Sequence, residues 1–418
     1  MVQSGMKQER AQRRLAIEGG EPLYRKSHFR PHPIPDDGRN AAAEVLQSGR
    51  LFRYAGEEVT RMEHEWARYF GVRFALAASS ASSAIELALL STGLERGDDV
   101  PMPAFTFSAV PSATVHAGGR PILVEVGEDY TIDLDDLDAR LTPRSRHLLL
   151  THMRGHVCDM DAIRAFCAER KLVLIEDAAH ALGVRWDDQH AGTMGLVGCY
   201  SFQSDKIING GEGGLLITND EDVIVRATLY SGCYERYWSQ HGYGKLRFPD
   251  LQRQLPLYNM RMTNLAAVLI ASQIGVLEER VAQCAENHRL LVEVLADSPH
   301  VRLPPRSPRL RPVLDTIQFT LAGLDEGERR EFARAVQMEG IGLTIFGLDP
   351  NNARAFWNWE YLGVTPHLPR TEAMLKATCD LRLPATLSSD EIAAIGGVIL
   401  DALDHATAHR REERREVG

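Results

Sequence analysis

The sequence predicts an α/β fold, a large domain with a mostly parallel central sheet plus a smaller α+β C-terminal domain, on three observations. Short apolar runs, F-A-L-A-A (74–78), P-I-L-V-E-V (121–126), H-L-L-L-T-H (147–152) and L-V-L-I (172–175), alternate with helical stretches. Continuous apolarity marks strands covered on both faces, as in parallel sheets. Two of these runs close on polar residues, His152 in one and Glu176 with Asp177 in the other, at the edge where open α/β sheets bind ligands. From about Gln283 the pattern changes to a long helix, a strand T-I-Q-F-T (316–320), a helix over 327–338 and a strand G-L-T-I-F (342–346). The expected division is a leader and arm over 1–40, a large domain over 41–285 and a small domain over 286–418. A chain of 418 residues, 44% hydrophobic and 25% charged, has ample material for such a core.

Each element has a local reason. The basic start (Lys7, Arg10, Arg13, Arg14) is followed by no apolar run, so it reads as a flexible leader and not a secretory signal. Pro31, Pro33 and Pro35 mark an arm that cannot pack on itself and drapes over a neighbouring surface. Arg39 to Leu46 reads as a helix, Ser48-Gly49-Arg50 as a break, and Glu58 to Phe70 as a helix whose early acids and late Arg68 complement its dipole. The strand 74–78 turns through Ser79 to Ser83 into a helix. Such a small-residue turn is a phosphate cradle or a Ser-rich N-cap. Pro101 and Pro103 frame a strand end, with Phe105 and Phe107 either facing a ligand or filling core. Asp133 opens a short helix, and the helix Cys158 to Glu169 crosses over to the Leu172 strand in a right-handed βαβ unit. After a helix over 222–230, residues 231–256 form a long irregular segment, usually functional or a partner contact. It leads to Y-N-M-R-M (258–262) and a helix over 264–278. The tail H-R-R-E-E-R-R-E (409–416) reads as a solvated helix end.

The chemistry concentrates between Leu172 and Asp220. Asp177 ends a strand, Ser201 and Lys206 follow, and Gly210, Gly211, Gly213 and Gly214 surround the lysine's far side. A lysine forms a Schiff base only when its amine is unprotonated, which needs desolvation or nearby positive charge. Pyridoxal phosphate (PLP) takes up electrons only while its ring nitrogen stays protonated beside a buried carboxylate, and Asp177 is the candidate. Ser201 and a helix start could hold the phosphate. Taken singly, each residue has an ordinary explanation as a turn, a surface charge or a cap. Their order together points to a covalent aldehyde cofactor.

The runs I-E-D-A-A-H-A-L-G (175–183) and S-F-x-x-x-K-x-x-x-x-G-E-G-G (201–214) resemble the fold-type I PLP-dependent enzymes of the DegT/StrS-type sugar and aminocyclitol aminotransferase family. The resemblance runs from about Leu15 to at least Ile274, and the opening L-A-I-x-G-G-x-P is similar to the branch acting on aminocyclitols and related cyclic ketones. It implies that Lys206 holds the cofactor covalently, Asp177 pairs with the pyridine nitrogen and His180 lies near the ring. Phe107 would stack on the ring, while Ala81 and Ser82 stand where relatives carry Gly-Thr at the phosphate. Asn259, in an N-x-R-M element, would reach the phosphate of the other subunit of a homodimer; its alternative is an N-cap for the next helix. Relatives that dehydrate sugars have His at the lysine position, so Lys206 favours transamination. Arg154, in H-M-R-G, departs from an aromatic usual in relatives; it is either a guanidinium for a substrate carboxylate or phosphate, or a surface charge.

A net charge of −10 argues against nucleic acid as a partner. Six cysteines (158, 167, 199, 233, 284, 379), widely spaced, read as reduced thiols of a cytoplasmic protein. No run approaches a membrane span of about 20 apolar residues, and no metal site is expected. A PLP-binding regulator would need a DNA-binding module that the leader does not offer. The expectation is a homodimeric PLP-dependent aminotransferase of sugar or secondary-metabolite biosynthesis, moving an amino group from glutamine or glutamate to a keto-sugar or keto-cyclitol. The alternative is an enzyme of the same fold that eliminates, cyclises or decarboxylates an amino acid.

Overall fold

The computed structural model describes residues 13–244 and 246–408. Lys7, Arg10 and the 409–416 tail, on which two of the expectations fall, lie outside the described residues.

Helical crossovers make neighbouring strands parallel, whereas a short return makes them antiparallel, and both occur here. Strands β1 (Phe74–Ala78), β2 (Asp99–Pro103), β3 (Arg120–Val124), β4 (His147–Thr151), β5 (Val173–Asp177), β6 (Val197–Ser201) and β7 (Gly214–Thr218) build the central layer. Five of them lie in the order β1-β7-β6-β5-β4. The parallel pair β2 and β3 continues beyond β4 through a bridge between Asp99 and Ser145. Only β7 runs antiparallel to its neighbours β1 and β6, because residues 202–213 return the chain directly beside β6. Every residue of β1, β2, β4, β6 and β7 is buried, as continuous apolar runs require.

Helices end where the sequence breaks. The helices α1 (Asp36–Ser48) and α2 (Glu58–Phe70) stop at Gly49 and Gly71, both at φ +68, a left-handed conformation that glycine adopts freely. The helix expected over 264–278 is in fact interrupted: α3 covers Asn264–Ala271 and α4 covers Leu277–Leu295. At the break Gln273 is fully buried and its Nε2 donates to Leu269 O and Asn209 O, both at 2.7 Å. The helix α4 runs through residue 285, where the large domain was expected to end.

Beyond α4 a second, wholly antiparallel sheet follows the order 301–302, 316–321, 378–382, 344–345. The strand expected over 342–346 is paired only at Thr344–Ile345. The N-terminal arm packs on this part of its own chain. Leu15 enters its core, and the buried Glu339 carboxylate accepts the N–H groups of Ala16 (2.7 Å) and Leu23 (2.8 Å).

Residues 231–256 include two short helical turns and are pinned to α2 by a buried network. Glu63, with no exposed surface, accepts from Arg53 Nη2 at 2.8 Å and from the Ala77 N–H at 2.9 Å, and His241 Nδ1 lies 3.4 Å away. Removing one partner of a buried ion pair strands the other charge and costs about 3–5 kcal/mol. Glu63→Ala should therefore lower the thermal unfolding midpoint by several degrees. Val364→Ala, at a position 90% exposed, should leave it nearly unchanged, and equal midpoints for the two variants would refute the anchoring role of Glu63.

Candidate active site

Register across the antiparallel strand β7 brings two chain segments together at one sheet edge. Gly214 pairs with Ala78 on one side and Ser201 on the other. The turn after β1 and the end of β6 thus flank the start of β7. A Cβ at position 214 would fall 2.2 Å from Ser80 O and 2.6 Å from Ala81 N, so only glycine lets the turn approach. Beyond the turn the helix Ala81–Ser91 is capped by Ser80, whose hydroxyl accepts the Ser83 N–H at 3.1 Å. Among the described residues nothing accepts from the N–H groups of Ala81 or Ser82. Free amides at a helix start, on the same sheet edge as Ser201 and separated from it by β7, make an anion cradle. The cap and the cradle, alternatives in the sequence, coexist on neighbouring residues.

Lys206 rides on the loop 202–213, which closes on itself through Phe202 N–H to Gly213 O (2.9 Å) and Gly210 N–H to Phe202 O (2.7 Å). Two buried side chains brace it from α4 and the break before it. Arg280 donates to Ile207 O at 2.7 Å and to Pro33 O at 2.8 Å, and Gln273 donates to Asn209 O at 2.7 Å. Neither was found in the sequence, where neither belongs to a motif.

The adjacent acids at the end of β5 divide their work. Glu176 is saturated: it accepts the N–H groups of Gly192 (2.8 Å), Met194 (2.7 Å) and Gly195 (2.5 Å) and pairs with His152 Nε2 at 2.8 Å. Asp177, on the opposite face of the strand, accepts the Ala179 N–H at 3.1 Å and lies near Lys206. Burial raises the pKa of Asp177, opposed by the Ala179 N–H and by the charges of Lys206 and His152.

His180 stands between the lysine and a group of cations. Lys206 Nζ lies 3.0 Å from its Nε2 and 3.3 Å from its Nδ1, and Arg154 Nη1 lies 3.5 Å from Nδ1. Part of the Lys206 side chain still meets solvent, but the protein packed around it lowers its pKa well below the usual value, helped by Arg382 and Arg154. Burial, followed by Lys206 and the arginines, likewise keeps His180 neutral. An amine in this state is a nucleophile and a base.

The remaining expectations resolve unevenly. Phe105 is core with no exposed surface, whereas Phe107 is 40% exposed, under the guanidinium of Arg354 at 5.5 Å. Arg154 is not a surface charge: it is buried in an ion pair with Asp380. Asn259 is not the cap of α3, since Thr263 holds that position and accepts the Ala266 N–H. The side chain of Asn259 is exposed and makes no hydrogen bond among the described residues, while the carbonyl of its neighbour Met260 accepts the Ser79 N–H at 2.8 Å. Arg354, Arg382 and Asp380, which reach this edge from the C-terminal part of the chain, carried no motif in the sequence.

Residues 34–412 match the model of the DegT/DnrJ/EryC1/StrS aminotransferase family. This chain belongs to that family. It is 32% identical over 272 residues to 3-amino-5-hydroxybenzoate synthase of Amycolatopsis mediterranei, covering 64% of this chain and 68% of that protein. It is 28% identical over 339 residues to a putative L-glutamine:3-amino-2,3-dideoxy-scyllo-inosose aminotransferase of Streptomyces kanamyceticus, covering 79% of each. Among solved structures, DesI with its TDP-sugar product superposes at a TM-score of 0.81 with 25% identity, over 96% of this chain and 99% of that one. The reaction class of this family member is amino transfer, and its mostly parallel α/β fold is that of PLP-dependent aminotransferases. The residues present fit the cofactor that the family implies: a free-amide cradle that a Cβ on Gly214 would close, a buried acid and a desolvated lysine.

Two variants test the fit. Lys206→Ala should still take up PLP, yet borohydride reduction should no longer attach it to the protein; attachment at another lysine would refute the assignment. Asp177→Ala should keep borohydride attachment while turnover falls by several orders of magnitude, and near-normal turnover would contradict the role of the carboxylate.

Proposed function

We propose that this family member is a cytoplasmic homodimer that uses PLP to move an amino group from glutamine or glutamate to the keto group of a sugar, cyclitol or related cyclic ketone. The observation that carries the reading is the Lys206 amine, its pKa held well below the usual value by the protein around it, 3.0 Å from His180 Nε2 on the same sheet edge as buried Asp177. The acceptor class rests on relatives whose names specify a hydroxybenzoate, an aminocyclitol and a TDP-sugar. A cytoplasmic place accords with six cysteines that are all buried and unpaired, and no helix among the described residues is long and apolar enough to cross a membrane.

When bound, PLP supplies an aldehyde and a ring that accepts electrons from a substrate bond. The protein's own residues do the rest. The Ala81 and Ser82 amides and the Ser201 hydroxyl would bind the phosphate, and Phe107, 40% exposed, would contact the ring. The Asp177 carboxylate keeps a proton on the ring nitrogen, because a cation opposite it in a buried setting is strongly favoured. The Lys206 amine would carry a proton on Nζ to and from the substrate carbon. His180 orients that amine. Mixing the cofactor-loaded enzyme with glutamine or glutamate should convert its visible absorbance to a near-ultraviolet band and release the corresponding oxo acid. A spectrum unmoved by every amino acid offered would overturn the reading.

The shared-site part of the proposal rests on Asn259, exposed and unbonded in the single chain, with Leu51, Phe52, Tyr234, Leu257 and Tyr258 also exposed. In a two-fold dimer, Asn259 of one protomer would serve the site holding Lys206 of its partner. Lys206→Ala and Asn259→Glu, each inactive alone, then form mixed dimers in which one site carries both lesions and the other neither. About half the dimers are mixed under random pairing, so roughly a quarter of wild-type activity should return. No recovery, with subunit exchange verified by mass, would place Asn259 in its own chain's site.

A further inference from the structure

We propose that the guanidiniums of Arg154, Arg354 and Arg382 form an anion subsite beside Lys206 that takes a carboxylate of the substrate, a role that rests on the aminotransferase reading. Three separate parts of the chain deliver them. Arg154 follows β4 at φ +55, a conformation uncommon for a residue other than glycine. Arg354 lies in the loop after the strand 344–345, held over the rings of Phe107 (5.5 Å) and Phe346 (5.9 Å). Arg382 ends the strand 378–382 and donates from Nη1 to the carbonyl of Asp205 at 2.6 Å, one residue before the lysine.

The protein sets Asp380, Asp315 and Asp205 near these cations, yet leaves guanidinium donors unmet. Asp380, two residues from Arg382 on the same strand, is buried and pairs with Arg154. It is held there by Gln318 Nε2 at 2.7 Å, and Gln318 in turn by His156 at 2.9 Å. Asp315 stands 3.9 Å from Arg382. Arg354 has no ion pair among the described residues, and the Nε atoms of both Arg354 and Arg154 are buried without a hydrogen-bond partner. Burial followed by Arg154 pushes Arg354 down to about 10, the direction expected of a guanidinium short of a counter-ion.

Buried charges are normally paired, and an unpaired donor in such a place costs free energy until a ligand meets it. A planar guanidinium fork matches a carboxylate in two parallel hydrogen bonds. The subsite lies beside the amine, since Arg154 Nη1 is 3.5 Å from His180 Nδ1 and Lys206 Nζ is 3.3 Å from the same nitrogen and 3.0 Å from Nε2. A substrate held there by its carboxylate has its reacting group beside the lysine. The carboxylate belongs to either the amino donor or the keto acceptor.

The test titrates the PLP-loaded enzyme calorimetrically with glutarate and benzoate, and with their uncharged amides. The acids should bind and the amides should bind far more weakly. Arg354→Gln and Arg382→Gln, which leave the Arg154–Asp380 pair in place, should each weaken the acids by at least about tenfold while the amides are unaffected. Arg354→Lys should recover part of the loss. PLP uptake by each variant reports that it has folded. Acids and amides that bind alike, or acid binding that survives in both glutamine variants, would overturn the subsite. So would a nucleoside diphosphate that binds more tightly than the acids with the same arginine dependence, because the ligand would then be a phosphate. Kinetics with glutamine and glutamate name the source: a parallel loss assigns the carboxylate to the donor, and unchanged donor kinetics assign it to the acceptor. A wild-type enzyme that consumes no amino donor yet binds the acids through these arginines would sink the amino-transfer reading and leave the subsite standing.

Discussion

A lysine amine whose pKa is held well below its usual value is the constraint on which the rest of this structure depends. Water and counter-ions would raise that pKa again, so the site limits the first and rations the second. Burial does the former, and Arg382 and Arg154, the largest contributors after it, do the latter. Such an arrangement is unfavourable in isolation and persists because the scaffold overdetermines it. Arg280 and Gln273 fix the loop from behind, the N-terminal arm is tied to the same arginine through Pro33, and Asp380 restrains Arg154. The arm and the second sheet, which look peripheral along the chain, are therefore parts of the site.

The same logic explains the pair of acids that ends β5. Consecutive strand residues face opposite sides, so Glu176 and Asp177 enter different environments although one peptide bond separates them. Glu176 meets three backbone N–H groups and His152 and acts as a clamp on the turn at 192–195. Asp177 meets few donors and a neighbouring amine, so its charge remains available to a partner across the site. A carboxylate satisfied by the fold cannot serve a ligand as well; one left under-satisfied can.

Charge crowding also ties the two halves of the molecule to each other. Arg154 and Asp380 come from different sheets, and their ion pair crosses the space between them. Arg382 reaches from the second sheet to the backbone beside Lys206. Any displacement of the second sheet relative to the first would change the field at the amine, so the position of the C-terminal part and the protonation of Lys206 are one coupled property.

Much of this was legible in the residues themselves. Continuous apolar runs marked the buried parallel strands because covering both faces leaves no polar alternation, and Asp177, Ser201, Lys206 and the glycines stood close enough in the chain to be recognised as one motif. The tertiary structure decided what depends on distance in space. It separated Phe105 as core from Phe107 as exposed, gave the cap of α3 to Thr263 instead of Asn259, and broke the helix at Gln273, whose buried amide was needed elsewhere. It also moved Arg154 from an open question to a buried ion pair and set Arg354, Arg382 and Asp380 beside the lysine. Those three lie more than 140 residues from Lys206 in the chain. No local pattern records such a meeting, because a contact between distant segments is set by strand register and packing and not by the residues on either side of each group.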